Sequence, residues 1–209
     1  MEYMVNINDI NLLLRFGNRL GNENYERFDS KFISIVNILK NNLQISEAIR
    51  SGSLGKGTKV SGYGDLDITF TIYSPPKTNI VEMRREVERI LKSAFPNNSV
   101  QLGHRSVKIT FSNDLQIDVV YLSYQEFQTQ KSNLVEVKYA SNEVLSIIRL
   151  IKYWKEAKNI NIRSMDIENV TLWIASSKTQ SFINILSNTI SEFGYEPNSV
   201  ISFLKSKAG

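Results

Sequence analysis

The chain has 209 residues, no cysteine and one histidine, His104. Disulfides and thiolate metal sites are excluded, and a histidine-based zinc site is disfavoured. Its 42% apolar content is that of a globular protein, and a net charge of +4 permits a polyphosphate or nucleic-acid partner without demanding one. No run approaches the ~18 apolar residues of a membrane span. Leu12-Leu13-Leu14 is not followed by a small-residue cleavage site. The expected setting is the cytoplasm, with no membrane partner.

In chain order, Ile7, Ile10, Leu13, Leu14 and Leu20 predict a short helix over 7–20, ended by Gly21-Asn22. Tyr25, Phe28, Phe32, Ile35, Val36, Leu39 and Leu43 predict an amphipathic helix over 24–43. A strand over Ile45 to Arg50 runs into the stretch GSLGKGTKVSGYGDLDITF, Gly52 to Phe70, on which the rest of the chain is organised. Ser74-Pro75-Pro76 breaks the strand that closes this stretch, and Thr78 or Asn79 caps a helix that Pro96 stops. Val107, Ile109 and Phe111, then Leu115, Ile117, Val119 and Tyr121, alternate with polar residues around Ser112-Asn113-Asp114, the pattern of a hairpin. From about 141 the spacing is helical: Val144, Ile147, Ile148, Ile151 and Trp154 make one stripe, with further helices at about 165–176, 179–193 and 197–206. A change of composition near 124–140 divides a mixed-sheet half from a helical half. The expected class is α+β, a mixed sheet flanked by helices and followed by a C-terminal helical region, with domains at 1–130 and 131–209.

Strand parity points to chemistry. Leu66, Ile68, Phe70 and Ile72 share one face, so Asp65, Asp67, Thr69 and Thr71 share the other, with the two carboxylates roughly 6–7 Å apart along the strand. Asp118 likewise lies opposite Leu115, Ile117 and Val119. If the two strands are neighbours, three carboxylates meet on one face, a set able to hold two magnesium ions beside a transferring phosphoryl group. Taken singly, each Asp reads as the wet side of an amphipathic strand. Their combination with Gly52-Ser53 is more specific.

Gly52-Ser53, Asp65-Leu66-Asp67 and Leu115-Gln116-Ile117-Asp118-Val119 together resemble the DNA polymerase β-like nucleotidyltransferase superfamily. Ile148-Arg149-Leu150-Ile151-Lys152-Tyr153-Trp154-Lys155 and Ser164-Met165-Asp166-Ile167-Glu168 are similar to its branch of 2′-5′-oligoadenylate synthetases and bacterial cyclic-oligonucleotide synthases of antiphage signalling. The resemblance implies transfer of a nucleoside monophosphate from an NTP, ATP in the first instance, to a hydroxyl acceptor, with pyrophosphate released. It implies Mg2+ or Mn2+ held by Asp65, Asp67 and Asp118, with Asp118 also activating the acceptor. It places Gly52 close to the NTP, Ser53 on a phosphate, and Lys152 and Ser164 on the β and γ phosphates. Met165 stands where that branch often carries a base-stacking aromatic residue. The product would be a signalling oligonucleotide, or the acceptor an RNA end. A non-catalytic NTP- or RNA-binding module, and a toxin-type enzyme modifying protein or tRNA, are the competing readings.

Other features are set aside. Gly55-Lys56-Gly57-Thr58 lacks the contiguous Gly-Lys-Ser/Thr of a Walker A loop. Residues 164–168 also read as an ordinary helix start with Ser164 as cap, and Lys152 alone as a solvated helix lysine. Arg84 and Arg85 read as the wet side of a helix, His104 as non-catalytic, and Trp154 and Trp173 as core packing.

Overall fold

A computed structural model of the chain describes residues 6–21, 26–63, 65–73, 79–112, 115–177 and 180–209. Asn22, Tyr25, the Ser74-Pro75-Pro76 break, Thr78 and the Asn113-Asp114 part of the hairpin turn lie outside the described residues. The elements, in order, are α1 (Ile7–Leu20), α2 (Glu26–Asn42), β1 (Ile45–Ser51), α3 (Gly52–Gly55), β2 (Leu66–Ile72), α4 (Ile80–Ala94), β3 (Ser99–Leu102), β4 (Val107–Ser112), β5 (Leu115–Tyr121), α5 (Tyr124–Lys138), α6 (Asn142–Ala157), α7 (Ser164–Ser176), α8 (Phe182–Glu192) and α9 (Pro197–Ala208). This is the expected α+β class. The chain folds as two compact units that interleave in sequence: Asn24–Lys56 with Gly64–Glu136, and Met1–Glu23 with Gly57–Tyr63 and Val137–Gly209.

Among the described residues, the first of these, the sheet unit, holds five strands in the order β1-β2-β5-β4-β3. β2 and β5 are parallel, and the other neighbours are antiparallel. One face is apolar as the alternation requires. Ile68, Phe70, Ile109 and Ile117 are fully buried in a cluster with Phe28, Ile35 and Leu39 of α2 and Val87, Ile90 and Leu91 of α4. Asn79 caps α4 as expected, its side chain accepting from the Val81 amide at 3.0 Å.

The opposite face departs from the expected wet surface. Thr69 and Thr71 are 0% and 1% exposed, and the Thr69 hydroxyl lies 2.6 Å from that of Ser51. β2 is an interior strand, so only its N-terminal end, at Asp65 and Asp67, opens outward. Two elements carry no clear sequence pattern. β3 pairs with β4 alone and buries only Val100. α5 buries Phe127 and Val137 along an otherwise polar sequence, and Lys131 ties it to Glu47 of β1.

The other unit is helical. Leu13 and Phe16 of α1, Ile147, Ile148 and Ile151 of α6, Leu186 and Ile190 of α8 and Leu204 of α9 share its core. Its helices start where capping side chains dictate: Ser141 and Ser181 accept from the amides of Val144 and Asn184. Asp9 and Lys205, 2.6 Å apart, join α1 to α9. Trp154 is buried as expected, but Trp173 is 65% exposed, so the core role expected for it is corrected. Trp173 lies on the face of α7 turned away from the buried Ile167, Thr171 and Ile174.

Candidate active site

One row of residues crosses four strands of the sheet unit. Ser51 of β1 is the partner of Asp67 in β2, Asp67 of Asp118 in β5, and Asp118 of Lys108 in β4. Paired residues on neighbouring strands, about 4.8 Å apart, project to the same face. Asp65 precedes β2 and shares that face with Asp67. All three Asp residues are half-buried, between the exposed surface and the fully buried apolar face. The Lys108 ammonium donates to the Asp65 carboxylate in an ion pair whose members are 34% and 37% exposed.

The electrostatics follow from this crowding. The bond to Asp65 raises the Lys108 ammonium above its ordinary range; burial opposes it, and the fields of Asp118, Asp65 and Asp67 reinforce it. Burial pushes the Asp118 carboxyl up, and the charge of Asp65 adds to the rise. The Lys108 charge and a hydrogen bond from Ser106 pull it down. Asp118 Oδ1 is buried with no hydrogen-bond partner among the described residues. A carboxyl raised in the folded state binds its proton more tightly there than in the unfolded chain. Its contribution to stability is therefore present at low pH and is lost as pH rises from its ordinary value of 3.8 through the raised one. Asp118→Asn, which stays neutral, is expected to melt higher than the parent in chelator at pH 7. The advantage should shrink as pH falls toward 4, which thermal melts across that range measure.

Gly52 and Ser53 begin the short α3, directly after β1. Gly52 has φ +59°, and a Cβ there would lie 1.9 Å from Asp67 Oδ2. The glycine thus makes room for the Asp67 carboxylate itself, a reason that the sequence did not disclose. Gly52→Ala has to absorb both the left-handed backbone, about 1–2 kcal/mol, and that overlap. It should lower the unfolding free energy measured in urea by at least that amount and displace Asp67. Ser53 is half-buried beside it.

Among the described residues, no group of three or more His, Cys, Asp or Glu side chains is arranged to hold a metal ion. Asp65 faces the Lys108 ammonium instead. The donors nonetheless suit a hard cation: they are carboxylate oxygens, which Mg2+ and Mn2+ take. Asp118 Oδ1 is unpartnered among the described residues, and the Asp67 carboxylate can sit against residue 52 only because that residue lacks a Cβ.

The remaining two residues named from the resemblance belong to the helical unit. Lys152, 4% exposed, donates to Thr58 Oγ1 at 2.8 Å and to the carboxylate of Glu168, which is 2% exposed. Thr58 in turn donates to Glu168 at 2.7 Å. The neighbouring Arg149 makes two bonds, 2.9 and 2.6 Å, to the Gly57 carbonyl. Together these side chains fasten the segment Gly57–Tyr63. Ser164 is the first residue of α7, and Arg163 rather than Ser164 occupies the cap position. Met165 is 51% exposed. Lys108 and Thr58 make polar contacts that strand and helix spacing did not single out.

No family model matches the chain, and no curated protein matches it. Solved structures do. The CdnC:HORMA-deltaN complex of E. coli MS115-1 is 21% identical with TM-score 0.59, over 80% of this chain and 63% of that one. Cid1, described for its RNA terminal uridylyl transferase activity, is 14% identical with TM-score 0.67, over 85% of this chain and 56% of that one. The CdnE cyclic dinucleotide synthase of Elizabethkingia meningoseptica, solved with GTP and Apcpp, is 14% identical with TM-score 0.58, over 78% and 75%. The chain thus spans less than two thirds of the first two. At these identities the likeness is one of fold: this chain has the nucleotidyltransferase fold.

Proposed function

We propose that the chain is a metal-dependent nucleotidyltransferase, transferring a nucleoside monophosphate from an NTP to a hydroxyl acceptor. The observation that carries this reading is the pairing of Asp67 with Asp118 across parallel strands, with Asp65 on the same face and Gly52 against Asp67. A binding module has no need of three adjacent carboxylates, whose mutual repulsion opposes folding.

In this reading Asp65, Asp67 and Asp118 hold Mg2+ or Mn2+. An ion held there would supply charge neutralisation at the triphosphate and would lower the pKa of the acceptor hydroxyl. Gly52 gives the Asp67 carboxylate its place, and Ser53 hydrogen-bonds a phosphate oxygen. Asp118, whose carboxyl is raised by burial, takes the proton of the acceptor hydroxyl. The acceptor oxygen forms a bond to the α-phosphorus, the α–β phosphoanhydride bond breaks, and pyrophosphate leaves. The rate gain comes from holding the two reactants in line and from fixed charge. ATP is the expected donor, and a nucleotide or an RNA 3′ end the expected acceptor.

The test is incubation with each α-labelled NTP and Mg2+ or Mn2+, with and without an RNA 3′ end, followed by product mass. Label in an oligonucleotide without RNA supports a signalling product, and label on added RNA supports tailing. Stable NTP binding with no labelled product under any of these conditions overturns the proposal.

A further inference from the structure

Among the described residues, Lys108 is the one lysine paired by register with a residue of the acidic row. It lies opposite Asp118, and its ammonium reaches past that partner to the carboxylate of Asp65. Asp118, Asp65 and Asp67 all act on its charge. A cation at that place lowers the mutual repulsion of the three carboxylates, Asp65 most directly. It also takes up the carboxylate that a three-ligand metal site needs, and among the described residues no such ready-made site is found.

We propose that Lys108 is a resident counter-ion of this site, one that a divalent cation must displace from Asp65 in order to bind. Lys108 then sets how tightly the site takes metal. This rests on the reading of the three carboxylates as metal ligands. Its consequence is a site that stays folded with its repulsion partly offset when empty, and fills only when divalent metal, alone or with the charge of a nucleotide, outcompetes the ammonium. Lys108 is a positioning residue here: it acts through Asp65 and needs no contact with the reacting atoms.

The experiment is titration of the full chain with Mn2+ without nucleotide, with free Mn2+ followed by electron paramagnetic resonance. Lys108→Gln keeps much of the side chain's length and removes its charge, and Lys108→Arg keeps the charge. We expect Lys108→Gln to bind Mn2+ about fivefold more tightly than the parent, to melt lower in chelator, and to lose the added affinity when combined with Asp67→Ala. Lys108→Arg should bind Mn2+ as the parent does. Unchanged or weaker Mn2+ binding by Lys108→Gln overturns the proposal, as does a gain that persists in the Asp67→Ala combination. So does an absence of Mn2+ binding in all variants. Should Lys108→Gln not fold, Lys108→Met is titrated in its place, and failure of both to fold beside a folded Lys108→Arg confirms only the counter-ion half, so the affinity half is then judged from Asp65→Asn. Asp65→Asn frees Lys108 from its partner and must weaken Mn2+ binding less than Asp67→Asn does; the reverse order overturns it. Label transfer is measured separately. Tighter Mn2+ binding with no transfer by the parent upholds the role of Lys108 and sinks the enzyme reading, and transfer with unchanged Mn2+ affinity does the opposite.

Discussion

Asp67→Ala is expected to reduce label transfer from an NTP by at least about 100-fold, while the protein stays folded. Asp67 is central in the acidic row, with Ser51 on one side and Asp118 on the other. Its carboxylate fills the space that Gly52 leaves open. Removing it takes away a ligand from any ion shared with Asp118. It also relieves repulsion by its acidic neighbours, so the melting temperature in chelator should hold or rise. That combination separates a lost catalytic group from a lost structural one. An Asp67→Ala protein with parental transfer, or one that has lost activity only by unfolding, contradicts the account.

Lys152→Met is expected to be the most destabilising single change, by about 3–5 kcal/mol. Lys152 and Glu168 are 4% and 2% exposed, and each bonds to Thr58 as well as to the other. Taking the ammonium away leaves a buried carboxylate without its counter-charge, which a low-polarity interior penalises far more than the pair itself stabilises. The double variant Lys152→Met, Glu168→Leu should therefore recover much of the loss. Urea denaturation of the parent, both single variants and the double variant measures this, and hydrogen exchange across Gly57–Tyr63 should quicken in Lys152→Met. A loss below about 1 kcal/mol would mean that water reaches the pair. The resemblance puts Lys152 on a triphosphate. A phosphate contact would require the ammonium to give up Glu168 or Thr58, and the same denaturation series run with and without NTP reports whether it does.

Strand parity was a sound guide wherever one face was buried and the other was not. Leu66, Ile68, Ile117 and Val119 are buried, and Asp67 and Asp118 are accordingly aligned on the opposite face. What parity could not supply was the neighbour relation. Lys108 illustrates this. Counting back from the hairpin ends, where Ser112 pairs with Leu115, would set Lys108 against Val119. An irregularity between Thr110 and Ser112 shifts the register by one, so that Thr110 meets Gln116 and Lys108 meets Asp118. No local residue pattern announces that shift. Thr69 and Thr71 misled for a related reason: threonine on an interior strand is buried by its neighbours, not by its own polarity.

The helices show the same division. α2, α4 and α6 carry full apolar stripes and are legible, whereas α5 places Phe127 and Val137 too sparsely to make one. Gly52 was legible as a glycine that something must approach. That its neighbour is Asp67, from a strand later in the chain, follows only from the fold. Glu168 belongs to the motif by spacing, but its pairing with Lys152 and Thr58 joins residues far apart in sequence.

The central claim is that Asp67 and Asp118 together bind the ion that the reaction needs. Anomalous diffraction from crystals of the full chain grown with Mn2+ and a non-hydrolysable ATP analogue tests it directly. The account predicts a manganese peak bonded to both carboxylates and to the triphosphate, lost in Asp67→Ala. A nucleotide bound with its manganese away from residues 67 and 118 would contradict it.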